Sequence, residues 1–289
     1  MISEGMERTA TVYKPSSAAA ADLPVHLTLH GSQMTAAQQI AVSGIEKSAE
    51  RHRFLAVAPQ GAMPLGAGYQ WNVPGVTGTG GPDDEQFLTD LLRTLAATGC
   101  TDTHRVLATG YSGGGRMVSQ YACDHPDRVT AIAPIAGLRA GVPVTRDDGT
   151  VIPDVATCAP KQPVPVITFH GTADPENPYA GGGKPYWGYG ATTALASWAR
   201  INHCQRGPVT AAVSAHVDKI SYSGCRGRSD VEMYSTEGDG HTWPGSDVSF
   251  GPMGHVTQEI DATELAWQFF QDHANNHAAL PAAHNRSAR

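Results

Sequence analysis

The sequence predicts an α/β fold: a mostly parallel central sheet flanked by helices on both faces. Three observations carry that expectation. Short apolar runs rich in β-formers alternate along the chain with stretches of helical periodicity. The runs themselves, such as Val164-Pro165-Val166-Ile167-Thr168-Phe169, are apolar almost without interruption, as strands covered on both faces must be. Each run ends in Gly, Pro or polar residues; the 32 Gly and 20 Pro make about 18% of the 289 residues, while a 40% hydrophobic content still permits a sizeable core.

Strands are expected at residues 25–29, 54–58, 105–109, 131–135, 164–169 and 231–234. Between them, helices are expected at 36–52, 86–98, 114–122, 192–202 and 262–273. In the second, Phe87, Leu88, Leu91, Leu92 and Leu95 fall on one face. Two long Gly-rich connections, 61–81 and 179–190, read as a binding rim or lid. No repeat or composition break marks a second domain. The expectation is one domain over 1–274 and a flexible tail over 275–289.

Net charge is −7 and only 16% of residues are charged, with no Lys/Arg cluster, which argues against nucleic acid as a partner. No apolar run reaches the ~20 residues of a membrane span. Met1 to Gly5 is polar and unlike a secretory signal, so the chain is read as either cytosolic or exported with its signal removed or left out. The five cysteines, Cys100, Cys123, Cys158, Cys204 and Cys225, lack zinc-ligand spacing. They are either buried thiols or, in part, two disulfides.

The chemistry concentrates at Gly110-Tyr111-Ser112-Gly113-Gly114, a G-x-S-x-G that chance alone would produce roughly 0.2 times in a chain of this composition. Its context is a strand running in and a helix running out. A turn that sharp needs small residues two positions either side of the serine, and it lifts the hydroxyl clear of the sheet beside a helix N-terminus. The plain alternative is a Gly-rich turn with a capping serine. An elbow serine needs a base, and in this architecture the chain order is Ser, acid, His. Of 13 histidines, His241 follows the last strand and precedes the last helix. Asp174, after the strand at 164–169, falls between them in order and is the candidate acid, with a turn-forming Asp-Pro as the bland reading. The oxyanion of a tetrahedral intermediate would be held by the backbone N–H of Gly113 and of Ser32, in Leu29-His30-Gly31-Ser32-Gln33, with Gln33 an open alternative to Ser32. Trp71, Tyr186, Trp187 and Trp243 form a candidate apolar rim for substrate, against ordinary packing as the other reading.

Taken together, the motifs resemble the polyhydroxybutyrate depolymerase/feruloyl esterase family of α/β-hydrolases. The likeness runs through Leu29-His30-Gly31, Trp71-Asn72, Asp83-Asp84-x-x-Phe87, the Gly110–Met117 elbow, Ala131-Ile132-Ala133-Pro134, His170-Gly171-Thr172-Ala173-Asp174-Pro175, Tyr222-x-x-Cys225 and Gly240-His241-Thr242-Trp243-Pro244-Gly245. It implies a serine esterase, usually exported, with Ser112, Asp174 and His241 in the roles already read from chain order. It also implies a Cys204–Cys225 bridge worth ~3 kcal/mol in the chain-entropy model. A Cys123–Cys158 bridge, leaving Cys100 free, is a weaker implication. Relatives often carry cysteines in the loop that is here Val73–Pro82, so the substrate is open.

The expected activity is ester hydrolysis through an acyl-enzyme, on polyhydroxyalkanoate-type polyesters or their oligomers, by a monomer without metal or organic cofactor. A feruloyl or acetyl-polysaccharide esterase is the alternative. A peptidase of the same fold and a non-catalytic polymer-binding protein are the remote ones.

Overall fold

The computed structural model describes residues 1–16, 22–78 and 80–277, with side chains through 274. Nine strands form the main sheet: β1 (Ala10–Tyr13), β2 (Leu23–Leu29), β3 (Leu55–Pro59), β4 (Thr101–Tyr111), β5 (Ala131–Ile135), β6 (Val166–Gly171), β7 (Arg206–Ala212), β8 (Val217–Ser223) and β9 (Val231–Thr236). Their spatial order is β7-β8-β9-β6-β5-β4-β2-β3-β1. The six strands β3, β2, β4, β5, β6 and β9 run parallel. These are the six runs that the sequence predicts, displaced by up to four residues at their starts, the largest shift being β4, which begins at Thr101 rather than 105, and reaching further at several ends. Antiparallel β1 on one edge and the β7–β8 pair on the other were not expected.

Period-two alternation sends each central strand's side chains to two layers. Val25, Leu27, Leu29, Val106, Ala108 and Ile132 join one buried cluster with α3 (Asp84–Ala97), α4 (Gly113–Asp124) and α5 (Ala191–Ile201). Leu107, Ala131, Ala133, Ile135, Ile167 and Phe169 join the other, with α1 (Ala36–Ser43), α2 (Ile45–His52) and α6 (Ala262–His277). The sheet is thus covered on both faces, as expected of an α/β-hydrolase. Truncating a buried leucine in either layer costs about 2–5 kcal/mol.

The single helix expected over 36–52 is two. Thr35 caps α1 in a capping box with Gln38, and Gly44 then takes a left-handed turn, φ 59°, that ends α1 and starts α2. Disulfides join Cys123 to Cys158 and Cys204 to Cys225, leaving Cys100 as a free thiol. Of the tail expected over 275–289, α6 takes up the backbone to His277 and the remainder lies outside the described residues.

Candidate active site

The loops following the parallel strands converge on one cleft of about 640 Å³, lined by Ser112, Gly113, Ser32 and His241 among others. Ser112 stands between β4 and α4 with φ 51° and ψ −110°, a conformation that a residue with a side chain rarely adopts. The surroundings hold it there. Its N–H donates to the Ile135 carbonyl at 2.8 Å, and its own carbonyl accepts from Arg116 N–H at 3.0 Å. The tight turn also depends on the absence of a side chain at Gly114, where a Cβ would lie 2.3 Å from the Leu29 carbonyl oxygen.

Asp174 and His241 are 67 residues apart in sequence, yet Nδ1 of His241 lies 2.7 Å from Oδ2 of Asp174. Asp174 follows β6 in a turn where its Oδ1 accepts the N–H groups of Glu176 and Asn177, both at 2.8 Å. That fixes the carboxylate's orientation independently of the imidazole. The two loops touch through Gly171, where a Cβ would lie 2.3 Å from the Asp239 carbonyl oxygen, and through Ala173 N–H donating to that same carbonyl at 2.9 Å. Burial alone would raise the pKa of Asp174; the hydrogen bonds from His170 and His241 outweigh it and hold the carboxyl well below the usual carboxylate range. The acid is therefore ionised at neutral pH.

On the other side of Ser112, a Cβ built on Gly113 would lie 2.5 Å from Ser32 Oγ and 3.2 Å from Ser32 N, so Gly113 lies directly against Ser32. The open alternative, Gln33, has its N–H engaged by the Tyr69 carbonyl at 2.8 Å. His30 braces this loop. Its Nδ1 lies 2.8 Å from the Gly31 carbonyl, and its Nε2 accepts the Gly61 N–H at 2.9 Å, a pattern that needs the neutral ring protonated at Nδ1. Burial, against the Gly31 hydrogen bond, pushes its pKa down to about 4.

Both Gly-rich connections border the cleft, the first through Leu65, Trp71 and Val76, the second through Lys184 and Tyr186. The aromatic rim is corrected in part. Trp71 lines the cleft but is 1% exposed, its indole donating to the His30 carbonyl at 2.8 Å. Trp187 and Trp243 are not among the cleft residues. Trp187 packs beside His170 and donates to the Pro178 carbonyl, and Trp243 donates to Thr263 Oγ1. An indole beside a functional loop in sequence is free to turn inward, and the apolar gain favours that.

Four contributors escaped the sequence reading. His170 Nε2 lies 3.3 Å from Asp174 Oδ2 and 2.8 Å from the Asn177 carbonyl. The Tyr111 hydroxyl donates to the His241 carbonyl at 2.7 Å. Arg116 lines the cleft, and His30 acts as described above. The signal for two of them was present: His30-Gly31 and His170-Gly171 repeat one pair at the ends of two strands.

Comparison with known proteins agrees with this architecture. Feruloyl esterase B of Piromyces equi is 29% identical over 226 residues, covering 75% of this chain and 39% of its own length. The chain thus spans about two fifths of that relative. A putative esterase, NocK, of Nocardia uniformis subsp. tsuyamanensis is 24% identical over 85% of this chain and 73% of its own. In fold, the acetyl xylan esterase from Aspergillus awamori superposes with a TM-score of 0.60 at 17% identity, covering 81% of this chain and 88% of its own. Residues 9–164, more than half of the sequence, match the family model described as esterase PHB depolymerase, and the chain belongs to that family.

Proposed function

We propose that this chain is a serine carboxylic-ester hydrolase, one catalytic unit over residues 1–274, that works through an acyl-enzyme. The observation that supports it most is the pairing of His241 with an ionised Asp174 on the same cleft as a serine held at φ 51°. Ser112 Oγ bonds to the ester carbonyl carbon while its proton passes to Nε2 of His241; Asp174 holds the ring by Nδ1–H and stabilises the imidazolium. The carbonyl electron pair moves to oxygen, received by the N–H groups of Ser32 and Gly113. The intermediate collapses, the alcohol oxygen leaves with the proton from His241, and the acyl group stays on Ser112. Water then gives His241 a proton and attacks, and the acid departs as Ser112 recovers its hydrogen. No metal or organic cofactor enters this scheme.

The substrate we favour is a polyhydroxyalkanoate-type polyester or its oligomers, since Met34, Val42, Leu65, Val73 and Phe250 give the cleft apolar walls for short aliphatic acyl units. Feruloyl or acetyl-polysaccharide esters are the second reading, favoured by the names of the relatives. Two disulfides favour an exported protein. The test is a panel measuring 3-hydroxybutyrate release from polyester oligomers, ferulate from methyl ferulate and acetate from acetylated xylan, run beside Ser112→Ala and a fluorophosphonate label. Labelling of wild type but not of the variant is expected. Retention of more than a few per cent of nitrophenyl-ester turnover by Ser112→Ala would refute the nucleophile.

A further inference from the structure

The cleft contains a cation that the reaction scheme does not use. Arg116 lies in the first turn of α4, four residues after Ser112, and is only 4% exposed. Its contacts within the protein are poor for a buried charge. Nη1 reaches Asn177 Oδ1 only at 3.4 Å, the guanidinium lies 4.7 Å from the Tyr186 ring centroid, and Nε is buried without a hydrogen-bond partner among the described residues. The nearby carboxylates are taken by others: Glu176 pairs with Lys184 at 2.6 Å, and Asp174 serves His241 and His170.

A second buried guanidinium makes the region more positive. Arg139 donates to the Trp187 carbonyl and stacks 3.7 Å from the Tyr189 ring centroid, again with no ion pair among the described residues. Burial pushes its pKa down to about 10, with the charge of Arg116 acting in the same direction against Tyr189. Buried cations are costly to hold unless an anion joins them. The position of Arg116 says where that anion would sit. Its Nη2 would be 3.5 Å from a Cβ on Gly113, beside the spot where the ester carbonyl would meet the oxyanion donors.

We propose, building on the esterase reading, that the natural ester carries a free carboxylate near the scissile bond and that Arg116 receives it. Arg116 is then a specificity-determining residue. An oligomer of a hydroxy acid cleaved near its free acid end has such a group on the leaving alcohol; a half-ester of a dicarboxylic acid has one on the acyl side. Both present the same charge, and a guanidinium binds a carboxylate through paired N–H donors.

Two matched pairs of substrates test this, at pH 8 where carboxylates are ionised. The 3-hydroxybutyrate dimer is compared with its methyl ester, and monoethyl succinate with diethyl succinate. In wild type the charged member of at least one pair is expected to lead in kcat/KM by roughly tenfold or more, the worth of one charge-assisted contact, and the pair that responds identifies the side of the ester that carries the charge. Added salt should shrink the lead. Arg116→Met should erase it, and Arg116→Lys should keep part of it.

Preference for the neutral member in both pairs would overturn the proposal. So would an equal loss on both members in Arg116→Met, which is what support of the oxyanion or of the scaffold predicts. Should Arg116→Met fail to melt cooperatively, the wild-type ratios and the Arg116→Lys ratio decide. If wild type cleaves no member of either pair and no nitrophenyl ester, the esterase reading itself has failed and takes this inference with it; cleavage without charge preference removes this inference alone.

Discussion

Two hollows of similar size lie on this molecule, and their contrast is instructive. One, of about 640 Å³, sits where loops leave the parallel strands; the other, of about 560 Å³, lies between β7–β9 and α6. The second is the more charged, but the groups it holds include an answered ion pair and structural bonds: Lys219 pairs with Glu232 at 2.7 Å, the Cys225 sulfur is tied to Cys204, and His273 Nδ1 is 2.7 Å from the Phe269 carbonyl. The first has fewer charges, but it has a strained serine, an imidazole held from behind and a guanidinium that forms no ion pair among the described residues. Volume and charge count do not mark a reactive site; groups that are held in place and left unsatisfied do.

The sharpest way to break the contrast is to remove the proposed nucleophile. Ser112→Ala is expected to lower ester turnover by ~10⁴–10⁶, while Lys219→Ala in the other hollow changes kcat/KM by less than about twofold. Nitrophenyl-ester kinetics decide it; a large loss from Lys219→Ala would mean that the hollows are coupled. Next comes the support behind the imidazole. Asp174→Asn should cost ~10²–10⁴ in kcat with a folded protein, read by kinetics and near-ultraviolet circular dichroism.

A smaller effect separates lining from packing. Trp243→Ala should destabilise by ~3–5 kcal/mol, measured by denaturant melts, without shifting the ratio of activities on long and short acyl esters. A changed ratio would return Trp243 to the substrate rim.

Acidification gives the gentlest test. Burial pushes His26 down to about 3 and His30 to about 4, opposed by Glu264 and the Gly31 carbonyl respectively. Unfolded imidazoles titrate near ~6.5. Between that value and pH ~4 the unfolded chain therefore binds the additional protons, and stability falls as pH falls. The melting temperature should decline steadily from pH 7 to 4, with the depressed Asp174 adding its loss only at lower pH. A flat profile would contradict neutral, buried imidazoles at His26 within β2 and at His30 in the loop that follows it.

The parts legible in the sequence were those with a strong local period. All six parallel strands were visible because each contains a short run rich in apolar β-formers bounded by Gly, Pro or polar residues, most nearly continuous where the strand is buried on both faces, as in Val166–Gly171. The edge strands were not: β7 is exposed along its length, and β1 is only partly covered, so neither bears the mark of burial. The break at Gly44 was masked by a helical pattern that continues on both sides of it. The candidate site was readable for Ser112, Asp174 and His241 because the elbow is a local motif and the topology dictates the order of the others.

By itself, then, the sequence determined the sheet's parallel centre, the elbow and the chain order of the three candidate residues, since periodicity and turn chemistry act over a few neighbours. Only the tertiary structure decided which tryptophans turn inward, that Gln33 spends its N–H on Tyr69, that His170 shares Asp174, and that Arg116 forms no ion pair among the described residues. Those outcomes are allocations of partners among groups tens of residues apart, and packing settles them only when every competitor for the same hydrogen bond or charge has taken its place.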